Sequence, residues 1–92
     1  MHESEDEVGV IVALMERFER QRLPRLLALK EKVDRGEVLN DSDIAFIEEV
    51  TQDAQHSKPL MDRHPEWHRF CAKVVHLYET ITEKALENEK RS

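Results

Sequence analysis

Five side chains able to ligate metals or carry protons gather in the second half of the chain: His56, His64, His68, Cys71 and His76. His64, His68 and Cys71 follow one another at spacings of four and three, and four-coordinate zinc accepts both imidazole and thiolate. Two features oppose a zinc site. His64 precedes Pro65, which puts it at a helix entrance and not on a helical face. The second facing pair of a zinc module is also missing, and there is no Cys-x-x-Cys. On a helical wheel Cys71 points into an apolar stripe, His68 sits at its edge and His76 faces away. The favoured reading is therefore a core cysteine with surface histidines. A small protein binding zinc or another transition metal through His64, His68 and Cys71, with His56 in reserve, is the alternative. Histidines titrate near neutrality, so a pH-responsive surface is a further use for them.

Other chemistries find less support. A carboxylate-bridged di-iron bundle needs Glu-x-x-His units, and none occurs. Cys71 and His68 can approach one another, but a catalytic thiol needs an accessible, electropositive setting, and Cys71 falls on the core side. The two glycines, Gly9 and Gly36, are isolated and form no phosphate loop. Arg17, Arg20, Arg22, Arg25, Lys30, Lys32 and Arg35 scatter around their helix with acids interleaved, unlike a nucleic-acid footprint. The formal net charge of −6 also disfavours nucleic acid and anionic membranes as partners. These observations point away from an enzyme.

The elements that carry these residues are helical. Charged residues make up 37% of the chain and aromatics 5%, with two glycines and three prolines, a composition suited to an all-α protein. The 92 residues read as one domain. One cysteine excludes an internal disulfide, and the acidic start lacks the basic segment of a signal peptide. The apolar run Val8–Met15 is too short to span a membrane. A cytoplasmic protein is expected.

The first helix is expected over about residues 5–35. Its stripe is Val8, Ile11, Val12, Met15, Phe18, Leu23, Leu26, Leu29 and Val33, at the three-and-four spacing of one helical face. Ser4 and Glu7 have the spacing of a capping box, and Gly36 suits the left-handed residue that ends a helix. Pro24 inside it should kink or split the helix. A second helix, over about 42–57, follows the capping residues Asn40, Asp41, Ser42 and Asp43 and turns Phe46, Ile47, Val50 and Ala54 to one side. A third, over about 65–88, begins at Pro65 and carries Trp67, Phe70, Cys71, Val74, Leu77, Tyr78, Ile81 and Ala85 on its apolar face.

Short loops should pack these as a three-helix, mostly antiparallel bundle with a long, Pro-kinked first helix. Helix two then covers only part of helix one. Val8, Ile11, Val12, Met15 and Phe18, together with Tyr78 and Ile81, would stay uncovered and invite a helical dimer. The other possibility is that Pro24 folds the first half-helix back to complete a four-helix monomer. Glu19 and Arg22 interrupt the stripe. They either form a polar site that sets register or partner choice, or reach water where the helix bends. The expected function is a non-enzymatic helical interaction or structural module. Its partner would be a second copy or another helical protein, met through Val8, Ile11, Val12, Met15, Phe18, Glu19, Arg22, Tyr78 and Ile81.

Overall fold

The computed structural model describes the backbone of residues 3–91 and the side chains of residues 7–91. Its order is α1 (Glu3–Arg17), a π-helical turn (Phe18–Arg22), α2 (Leu23–Asp34), α3 (Asp41–Asp62), a 3-10 turn (Pro65–Trp67) and α4 (His68–Arg91). The described residues thus form three helices, the first of them interrupted by the π turn, and the fold class is all-α.

Pro24 explains the interruption. It has no N–H to offer the Arg20 carbonyl, and its ring crowds that carbonyl in a regular helix. The chain widens by one residue instead: the Leu23 N–H donates to Phe18 O, a five-residue reach, and α2 restarts with Pro24 in its first turn. The backbone stays helical from Glu3 to Asp34, roughly 48 Å at 1.5 Å per residue. The π turn splits the first helix just ahead of Pro24, as expected, without folding it back on itself. This long element accounts for the greatest extent of the molecule, 56 Å against 20 and 17 Å across.

Gly36, at φ +88°, ends α2 as its spacing predicts. Its N–H donates to Val33 O (3.0 Å) and the Glu37 N–H to Lys32 O (3.2 Å), the paired bonds of a Schellman end. Asn40 then caps α3. Its Oδ1 accepts from the Asp43 N–H at 2.8 Å, while Asp43 Oδ2 accepts from the Asn40 N–H at 3.1 Å. The expected Ser4 cap cannot sit at the helix start, because α1 already includes Glu3; the Ser4 side chain lies outside those described.

The second helix runs five residues beyond the expected end at 57. Pro59 lies within it, one turn from the terminus at Asp62, where a missing N–H forfeits a single bond to Gln55. The extra length carries α3 from Asp43, paired with Lys32 of α2, to a connection whose Arg63 and His64 meet Glu7 of α1. The third helix also differs from expectation at both ends. It is entered through the 3-10 turn and continues past Asn88 to Arg91.

The core lies along the second half of helix one. Leu26, Leu29 and Val33 of α2, Phe46, Ile47 and Val50 of α3, and Ile81 of α4 are buried together, with Phe18, Leu39, Leu77, Tyr78 and Ala85 packed at the margin. Each large side chain removed from water here contributes about 1.5–3 kcal/mol before the entropy of ordering it is set against that.

Candidate interaction surface

The expected interface residues part company in the structure. Ile11 and Ile81 are fully enclosed by their own chain, so neither is left for a partner, contrary to the expectation of an uncovered stripe. Near Ile11, one turn before it, Glu7 meets Arg63 and His64 of the connection that follows the longer α3. Ile81 belongs to the main core. Tyr78 is half-buried, and its hydroxyl lies 3.0 Å from Thr51 Oγ1, whose own proton is directed to Ile47 O at 2.9 Å. Met15 and Phe18 are half-buried, with the Phe18 ring meeting Phe70 edge-on at 6.0 Å. Val8 and Val12, one turn apart, are exposed at 37% and 39%.

The inward face of α1 is therefore Glu7, Ile11, Leu14 and Phe18, all buried or half-buried. Val8 and Val12 lie on its outer flank. Leu14 escapes a reading centred on Val8 and Val12, although 7, 11, 14 and 18 keep the same helical spacing.

Glu19 and Arg22 do not act as a pair. Glu19 is exposed, while Arg22 turns to α3. Its Nη1 donates to Glu49 Oε2 at 3.2 Å and its Nε to Asp53 Oδ2 at 3.1 Å. The guanidinium also sits 5.9 Å from the centre of the Phe46 ring, which Arg25 approaches more closely, at 4.6 Å. Arg22 thus fastens the π turn to α3.

The histidine–cysteine group does not converge. Among the described residues no three His, Cys, Asp or Glu side chains are placed to hold one metal ion. His68 is exposed, and Cys71 is half-buried, its thiol pushed up by burial and by the nearby Asp62 carboxylate. His64 is buried in a different setting. Its Nε2 lies 2.7 Å from Glu7 Oε1 and its Nδ1 3.4 Å from Glu66 Oε2. Ionised carboxylates only accept, so two of them facing the two ring nitrogens favour the imidazolium form, in which both nitrogens donate. Arg63 donates to the same Glu7 carboxylate through Nε at 3.3 Å and Nη2 at 3.1 Å. Hydrogen bonds from Arg63 and His64 hold the Glu7 carboxyl below its usual range, and the Glu7 bond raises His64 despite burial.

A second polar tie closes the other end. Asn88, 3% exposed, donates through Nδ2 to Val33 O at 2.8 Å and Glu37 O at 3.0 Å, clasping the end of α2. Beside it Lys32 meets Asp43 at 2.5 Å. Burial opposes ionisation of Asp43, but Lys32 and the Asn40 N–H prevail and hold its carboxyl below the usual range. Both ties escape the sequence reading, and the one signal for them is a polar residue in line with an apolar stripe: Asn88 follows Ile81 and Ala85, and Glu7 precedes Ile11.

Next to this clasp lies an apolar groove of about 250 Å³ between the 37–40 loop, α3 and α4. Val38, Ile44 and Leu86 on its walls are exposed at 42%, 47% and 55%. No sequence period marks them, because each lies off its helix's inward stripe or in the loop. Among the described residues no helix is long and apolar enough to cross a membrane. Compared with known protein families, curated proteins and solved structures, the chain matches none.

Proposed function

We propose that this chain is a non-enzymatic helical interaction module that associates with a second copy of itself through apolar helix surface. The observation that carries the reading is the grouping of exposed large apolar side chains at two places, Val8 and Val12 on α1 and Val38, Ile44 and Leu86 around the groove. Scattered exposed apolar residues are ordinary, whereas grouped ones favour association. We take the three helices as an up-down-up bundle, supported by the ties of Glu7 to Arg63 and His64 and of Asn88 to Val33 and Glu37. In that arrangement both patches face outward.

Relative to the sequence expectation, the interface keeps Val8 and Val12; Ile11 and Ile81 are interior, and Met15, Phe18 and Tyr78 are half-buried within the chain. Arg22 is committed to α3 and serves the fold. Substituting the exposed residues tests the reading without touching the core. Val8→Glu with Val12→Glu, and separately Ile44→Glu with Leu86→Glu, should leave helicity unchanged. At least one pair should convert a dimer to a monomer in sedimentation velocity. A wild-type chain that sediments as a monomer at every concentration would refute the proposal.

A further inference from the structure

We propose that α1 is a hinged arm, attached to the rest of the chain by the Glu7 carboxylate as a latch and by the π turn Phe18–Arg22 as a hinge, and able to swing away as a unit. Three independent features converge on this.

The first is a thin apolar hold. Ile11 is fully buried, but Leu14 and Met15 are only half-buried and Val8, Val10 and Val12 are exposed. In α2, by contrast, Leu26, Leu29 and Val33 all enter the core. Segments with few buried contacts open at lower free energy than the whole fold. Gly9, in the middle of the arm, further weakens the helix there.

The second is the latch itself. One carboxylate, Glu7, accepts two hydrogen bonds from Arg63 and one from His64, residues 56 and 57 positions away in sequence. They lie at the α3–α4 connection, so they tie the first turns of the arm to the far end of α3. Charge-assisted bonds of this kind are the strong ones, and here they are concentrated on a single side chain.

The third is the hinge. Helix irregularity at a π turn next to proline is where long helices bend. Fastening resumes there: Phe18 meets Phe70, and Arg22 is bound to Glu49 and Asp53. The chain downstream of the hinge is thus held by ring packing, ion pairs and core, while among the described side chains upstream Ile11, the half-buried Leu14 and Met15 and the latch supply the hold.

Opening would bare Ile11, Leu14 and Met15 beside the exposed Val8 and Val12, forming a wider apolar face. Its use in self-association rests on the function proposed above; the latch does not.

Hydrogen exchange on the full chain at neutral pH tests it. In Glu7→Gln the amides of residues 8–17 should lose protection together, by about tenfold or more. Those of residues 26–33, 46–50 and 77–85 should keep theirs. Arg63→Ala, a change at an exposed residue, should give the same pattern more weakly and guards against a Gln variant that fails to fold. Equal protection of arm and core in the wild-type chain, or loss spread evenly over the molecule in both variants, would overturn the proposal. Light scattering on Glu7→Gln separates the two readings. Arm opening with no change in mass leaves the latch standing and removes its link to association; a dimer with no arm opening does the reverse.

Discussion

Replacing Asn88 by alanine should destabilise the chain by about 1–2 kcal/mol, and by aspartate distinctly more. Asn88 is almost wholly enclosed, and its Nδ2 serves two backbone carbonyls, Val33 at 2.8 Å and Glu37 at 3.0 Å. Each such bond is worth about 0.5–1.5 kcal/mol net, which sets the loss near 2 kcal/mol. Two details reduce it. The Val33 carbonyl keeps the Gly36 N–H, so only Glu37 loses the Asn88 donor outright. The Asn88 Oδ1 is buried with no hydrogen-bond partner, and deleting it relieves that desolvation. Aspartate keeps the shape but points a carboxylate at two carbonyl oxygens, so its cost should exceed about 3 kcal/mol. Urea unfolding followed by helical circular dichroism measures both, and an unchanged slope would show that the unfolded state is unaltered. In a domain of this size the alanine variant should melt roughly 4–16 °C lower. An Asn88→Asp variant as stable as the wild type would refute the assignment of Nδ2 as the clasp on the end of α2.

Other perturbations follow from the same contacts. Phe46→Ala should cost about 3–5 kcal/mol, because it empties a core position and removes the face on which Arg22 and Arg25 rest; thermal melts would read it, and a loss under 1 kcal/mol would contradict the core as described. The latch should make stability depend on pH at both ends. Glu7, depressed from 4.5, contributes fully above that value and is lost as pH falls through its folded pKa; His64, raised from 6.5, contributes fully below 6.5 and is lost as pH rises through its folded pKa. Melting temperature should therefore be highest between these values, and His64→Gln should abolish the alkaline decline; a decline that survives the substitution assigns it to another group. Cys71, raised by burial, should react with a thiol reagent at mildly alkaline pH more slowly than a free cysteine, and equal rates would place the thiol in water.

Most of the fold is legible in the residues. The all-α class, the Gly36 stop, Asn40 among the capping residues and the buried face Phe46, Ile47 and Val50 all follow from local chemistry. The two helix-interior prolines differ in outcome. Pro59 lies two residues past the expected end of helix two, yet within the last turn it forfeits one bond, which the helix tolerates. Pro24 reads as a kink or a split, and a π turn does divide the first helix there while the backbone stays helical on both sides. The candidate surface was harder to see. The expectation centred α1 on Val8 and Val12, because Glu7 reads as the partner of Ser4 in a capping box until Arg63 and His64 are known to meet it. Val38, Ile44 and Leu86 form a groove only once a loop and two helices are brought together, which no spacing within one segment reveals.

Absolute molar mass by light scattering over a hundredfold range of concentration tests self-association most directly. The account predicts twice the chain mass, falling toward one chain only on dilution, and a single-chain mass for a Glu-substituted patch. A wild-type mass of one chain across the whole range would contradict it.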